Sequence, residues 1–107
     1  QKNRTEEDAK ILADRFMLLF KEAGKIKNSD PASDDAQNLV KRIQDYITEN
    51  LYTCTNKILR GLGKMYSGGG DFTTNIDVYG GKGTANFVSD AIEIYCDNAE
   101  KMEALSM

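Results

Sequence analysis

The chain has 107 residues, enough for one domain that buries about 60 to 70% of its unfolded surface. Its 14 Lys and Arg against 17 Asp and Glu leave a net charge of −3 and a pI near 4.9, so the broad basic surface that neutralises phosphates is missing and free nucleic acid is disfavoured as a direct partner. With no histidine, Ser-His and Cys-His catalysis and a tetrahedral Cys/His zinc site are excluded, and neither enzyme activity nor a metal or cofactor is expected.

From about Thr5 to Ala23, Ala9, Leu12, Ala13, Phe16, Leu19, Phe20 and Ala23 recur at helical spacing and predict an amphipathic helix. Thr5 is placed to cap it, Glu6, Glu7 and Asp8 suit the positive end of its dipole, and Gly24 is placed to stop it. Ile11 and Leu18 lie nearly opposite the stripe, so a chain segment, ligand or partner is expected on that side, unless they are scattered exposed aliphatics. Lys25 to Ala32 reads as a linker carrying the only proline. A second helix is expected from Ser33 or Asp34, with Gln37 placed as in a capping box, burying Ala36, Leu39, Val40, Ile43, Tyr46, Ile47 and Leu51.

Thr55 is expected to cap a short third helix with Ile58, Leu59, Leu62, Met65 and Tyr66 as its apolar residues. Gly61 and Gly63 lie inside it, each costing about 1 kcal/mol relative to Ala, which close approach of a helix or ligand would offset. Asp71 to Val78 reads as a short helix with Phe72, Ile76 and Tyr79 on one face, and six of the nine glycines bracket it, so it is expected to move as a unit. Thr84 is expected to cap the last helix. Along it Ala85, Val88, Ile92, Tyr95, Cys96 and Ala99 form one stripe and Phe87, Ala91 and Ile94 a second, the pattern of a central core helix. No alternating strand pattern or internal repeat is visible, so the class is all-α, a single domain over residues 1–107.

No apolar run approaches the roughly 18 residues of a membrane span, Gln1 to Lys10 lacks the apolar core of a signal peptide, and two cysteines beside 40% apolar residues favour a reducing cytoplasm. Charge is uneven. Lys57, Arg60, Lys64 and Lys82 outnumber Asp71 and Asp77, whereas Asp90, Glu93, Asp97, Glu100 and Glu103 face only Lys101. A solvated face and a partner surface explain this equally well.

Gly80-Gly81-Lys82-Gly83-Thr84 lacks the full phosphate-loop spacing and a preceding strand, so it reads as a connection and not as a nucleotide site. Cys54 lies just before the Thr55 cap, where a helix start lowers a thiol pKa; the alternative is a small apolar residue filling the junction. Cys96 falls on the main stripe of the last helix and is expected to be inert. Tyr46, Tyr52, Tyr66, Tyr79 and Phe72 gather around the same junctions, as in a cleft with an apolar interior and a wet mouth.

The runs Tyr52-Thr53-Cys54-Thr55, Gly61-Leu62-Gly63-Lys64-Met65-Tyr66 and Phe72-Thr73-Thr74-Asn75-Ile76-Asp77, followed by the Ala91-Ile92 helix, resemble the TipAS effector domain, the C-terminal drug-sensing domain of MerR-family transcriptional activators. The resemblance extends from about Ile11 to Asn98, and departs from the family in Asn50 and Leu51, where many members carry aromatics, and in the lack of Trp. It implies a globin-like helical fold with a deep cleft for diverse antibiotics, thiopeptides among them. In the family the cysteine of the aromatic-x-Cys step can add to a dehydroalanine of the ligand, and the matching residue is Cys54.

On this reading Tyr46, Tyr52, Leu62, Tyr66 and Tyr79 wall the cleft, Cys54 is a contact and candidate nucleophile, and Asn75 and Asp77 are polar anchors, with local capping as the alternative role for the last two. DNA contact and dimerisation belong to a helix-turn-helix and coiled coil not in this chain. The competing class is a helical module that binds a protein through Ile11 and Leu18 or the acidic final helix. Thiol-dependent catalysis would need a lysine or carboxylate beside Cys54.

Overall fold

The computed structural model describes residues 5–106. Gln1 to Arg4, part of the stretch considered above for a signal peptide, and Met107 lie outside the described residues. Within them the chain folds as five helices and no strand: α1 (Glu6–Lys25), α2 (Asp34–Asn50), α3 (Asn56–Tyr66), α4 (Gly70–Gly80) and α5 (Thr84–Leu105).

Three helices start where short polar side chains meet the apolar period. Thr5 accepts from the Asp8 amide at 3.0 Å while Asp8 reaches back to the Thr5 amide, a reciprocal cap on α1. Ser33 accepts from Ala36 N–H at 3.2 Å at the start of α2, and Thr55 accepts from Ile58 N–H at 3.2 Å at the start of α3. Gln37 does not complete a capping box. Its amide donates to the Pro31 carbonyl at 2.9 Å and to the Ala91 carbonyl at 3.0 Å, tying the linker and α2 to α5.

Three further expectations are corrected. Gly24 does not end α1, which continues to Lys25; it is the point where α1 meets α4, and a side chain there would collide with the backbone of Gly80. Thr84 is not the cap of α5. Gly83, at φ 94°, occupies that place, and Thr84 is fully buried in the first turn with its hydroxyl donating to the Gly81 carbonyl at 2.7 Å. Because Gly83 has no side chain, the α5 amide of Ala85 is capped from elsewhere, by Asp77 Oδ1 of α4 at 2.9 Å. Helix α4 is also longer than the Asp71 to Val78 expected, its ends turned by glycines at positive φ, among them Gly69 at 87° and Gly81 at 99°.

The core draws on all five helices, with Phe20 and Ala23 from α1, Ile43 and Ile47 from α2, Leu59 and Tyr66 from α3, Ile76 from α4 and Val88, Ala91, Ile92 and Cys96 from α5. Helix α5 packs against each of the others, as its two apolar stripes require. Each buried Leu, Ile or Phe contributes about 1.5–3 kcal/mol, so this cluster drives the collapse. Ile11 and Leu18 remain 43% and 51% exposed, and Leu18 borders a groove with Val78 and Tyr79 of α4. Arg60 of α3 pairs with Glu93, Asp97 and Glu100 on α5, which places part of the basic segment against the acidic tail within the molecule.

Candidate ligand cavity

Between α1, α3 and α4 the packing leaves a cavity of about 340 Å³. Each helix contributes residues from one face: Phe16, Met17 and Phe20 from α1, Leu62, Met65 and Tyr66 from α3, and Phe72, Asn75 and Ile76 from α4. The i, i+3, i+4 spacing in α3 and α4 sets three consecutive contacts on one stripe. Ile47 closes the bottom, and Leu51 and Tyr52, carried on the turn after α2 by amides that both donate to the Ile47 carbonyl, form one lip.

The cavity has a dry floor and a wet rim. Phe20, Ile47, Tyr66 and Ile76 are buried, whereas Tyr52, Met65 and Phe72 are about half exposed. Aromatic edges stiffen the floor, with Phe20 edge-on to Phe16 at 5.2 Å and to Tyr66 at 5.4 Å. Burial pushes the Tyr66 phenol far above its ordinary 10.0, and the neighbouring Tyr52 phenol and Cys54 thiol raise it further, so Tyr66 is a protonated donor across the ordinary pH range. A second, smaller lobe of about 220 Å³ adjoins the first, shares Phe16 and Leu51 with it, and is bounded by Leu12 and Tyr46.

Of the residues expected at the site, Tyr52, Leu62, Tyr66 and Asn75 line the main cavity. Tyr46 lines the smaller lobe, its ring stacked on Phe16 at 5.6 Å and its hydroxyl donating to the Leu12 carbonyl at 2.7 Å. Asp77 is turned toward α5, where it caps Ala85. Tyr79 borders a shallow groove with Leu18, Lys21 and Val78 near the Gly24–Gly80 contact.

Cys54 is 4% exposed and is not among the residues that line the cavity. Its amide donates to Thr48 Oγ1 at 3.0 Å, its carbonyl accepts from Gln44 Nε2 at 2.9 Å, and burial raises its thiol above the ordinary value. Desolvation therefore wins over the helix start that was expected to favour thiolate, because burial penalises the charged form of the thiol. Cys96 is buried and has its thiol raised by burial as well, as its stripe position implied.

Sequence reasoning did not assign Phe16, Met17, Phe20, Ile47, Leu51, Met65 and Ile76 to the site, and it grouped Phe72 with the cleft aromatics without giving it a role. Most were read as core stripe, and periodicity cannot separate a residue that faces another helix from one that faces a gap between helices. Leu51, Met65 and Phe72 are large apolar groups that the core does not cover, which the structure shows and the sequence does not, Leu51 having been expected to be buried.

A family model for the TipAS antibiotic-recognition domain matches residues 1–95. The chain is 37% identical over 90 residues to the HTH-type transcriptional activator mta of Bacillus subtilis (strain 168), an alignment that covers 84% of this chain and 34% of that relative. The chain thus spans about a third of the length of the curated relative it matches. No solved structure gives a significant match.

Proposed function

The chain belongs to the TipAS antibiotic-recognition domain family, and from that premise we propose that it is the effector domain of a MerR-family transcriptional regulator, sensing antibiotics or other hydrophobic or peptide-like drugs. The observation that carries this reading is the cavity between α1, α3 and α4, with a buried apolar floor and an aromatic rim open to solvent. In this proposal residues 1–107 act as one ligand-sensing unit in the cytoplasm without enzymatic activity. DNA contact and dimerisation are assigned to other parts of the regulator.

Tyr52, Leu62, Tyr66 and Asn75 contact the drug in this scheme and Tyr46 meets it through the smaller lobe, whereas Cys54, Asp77 and Tyr79 lie outside the lining and act on it only indirectly. Helix α1 is the element that responds. It supplies Phe16, Met17 and Phe20 to the cavity, while every residue of its first turns from Glu6 to Ile11 is exposed. A ligand seated against Phe16 and Met17 ties α1 to α3 and α4, and it shifts the ordering of α1 by as much as its affinity differs between the ordered and loosened states. A docking role for a protein partner is favoured by the exposed Leu18, Val78 and Tyr79 around their shallow groove.

A thermal-shift screen against thiopeptides and other hydrophobic antibiotics, followed by intact mass, separates the two readings. Ligand at 100 times its Kd adds about 2.7 kcal/mol, a rise of several degrees in Tm. An adduct that disappears in Cys54→Ser would add covalent capture. A panel with no shift overturns drug sensing in favour of the protein-docking role.

A further inference from the structure

The cavity offers a ligand no charge. None of the described residues that line it or its smaller lobe is Asp, Glu, Lys or Arg, although 29% of the chain is charged. Burial alone does not account for this, since the rim residues Leu51, Tyr52, Met65 and Phe72 are 43 to 55% exposed, where charged side chains are ordinarily found. An ionised group entering here loses hydration that no counter-charge replaces, and the penalty grows with depth.

The polar residues of the main cavity are Tyr52 and Asn75 on its exposed rim and Tyr66 in its buried floor. Tyr66 is 4% exposed, and its hydroxyl makes no hydrogen bond to the described residues. No polar side-chain atom among these residues is both sealed from solvent and unpartnered, so the Tyr66 oxygen keeps some solvent access, on a residue that lines the cavity. The phenol stays protonated, so the free function is a donor.

We propose that this cavity, taken as the ligand pocket of the preceding section, selects uncharged aromatic or aliphatic molecules that carry a carbonyl-type acceptor for the Tyr66 hydroxyl, and rejects lipophilic cations and anions. Apolar area supplies the affinity and the Tyr66 hydrogen bond sets the orientation.

The test titrates the whole chain with two dyes that share a ring framework, uncharged 1-N-phenylnaphthylamine and anionic 1-anilinonaphthalene-8-sulfonate, with tetraphenylphosphonium as a cationic competitor. The uncharged dye should bind at least about tenfold more tightly than the sulfonate and should not be displaced by an equal concentration of the phosphonium. Nile red, uncharged and carrying a carbonyl, should lose about three- to tenfold in affinity in Tyr66→Phe, which keeps the ring against Phe20, while phenylnaphthylamine binding stays unchanged. Filling the cavity with Leu62→Trp should abolish binding of both uncharged dyes.

Equal or tighter binding of a charged probe overturns the selectivity and leaves the pocket reading intact. Indifference of Nile red to Tyr66→Phe overturns the assigned donor. If no probe binds, or binding survives Leu62→Trp, the pocket reading fails and the selectivity falls with it.

Discussion

Gly24 of α1 and Gly80 of α4 touch backbone to backbone: a β-carbon on Gly24 would stand 2.0 Å from the Gly80 carbonyl oxygen. The contact joins two of the helices that line the cavity. Gly24→Ala should therefore force α1 and α4 apart and destabilise the domain by about 2 kcal/mol or more, in the range of overpacked cores. Gly61→Ala should act in the opposite direction, since no atom lies within 4 Å of its added carbon and the exposed helical site gains about 0.5–1 kcal/mol. Urea denaturation of the two variants checks both signs.

Asp77 acts across helices. Its carboxylate accepts from Ala85 N–H at 2.9 Å and takes the place of a side-chain cap that Gly83 cannot provide. Asp77→Ala should cost about 1 kcal/mol, the ordinary worth of an N-cap, and Asp77→Asn, which keeps an acceptor oxygen, should recover most of it. A thermal melt of each variant distinguishes this structural role from ligand anchoring: the melts change without ligand if Asp77 is a cap, and only in its presence if Asp77 serves the ligand alone.

Buried Cys54 should react slowly. Its thiol is 4% exposed and its pKa is raised by desolvation, so maleimide labelling of the native chain at pH 7 should be slower than that of a free peptide thiol by about tenfold or more, and denaturant should restore it. Peptide mapping after timed quenching measures this. Rapid native labelling at Cys54 would mean that the packing around the thiol opens readily.

Stability should fall on the alkaline side. Cys54 and Cys96, with ordinary values of 9.0, and Tyr66, with an ordinary value of 10.0, are all raised by burial. In the unfolded chain they lose their protons near those values, whereas in the folded chain they hold them to higher pH. Below about pH 8 they are protonated in both states and contribute no slope; above pH 9 the unfolded state binds fewer protons and is favoured. On the acid side, Arg42 hydrogen bonds hold exposed Glu22 below its ordinary 4.5, so that contribution is lost as pH falls through this range. It is worth at most about 1 kcal/mol because both side chains are solvated. Chemical denaturation between pH 3 and 11 should show the steeper loss at the alkaline end.

The sequence by itself determined the class, the helices and most of their starts. Thr5, Ser33 and Thr55 stand one residue ahead of helices whose apolar stripes begin within the first turn, and both the cap and the 3.6-residue period are local properties of the chain. The linked runs around Cys54, Leu62 and Asn75 carried the family resemblance for the same reason, since they are read along the chain.

What only the tertiary structure decided is how the faces of those helices meet. Gly24 looks like a stop until the Gly80 carbonyl arrives beside it, and Asp77 looks like a site carboxylate until α5 presents an uncapped amide. Cys54 sits before a helix start, yet the surrounding packing, and not the local dipole, sets its thiol. The cavity is the clearest case. Phe16, Met65 and Phe72 are ordinary stripe residues in sequence, and they become one surface only because α1, α3 and α4 pack so as to leave a space between them, an arrangement that no local pattern encodes.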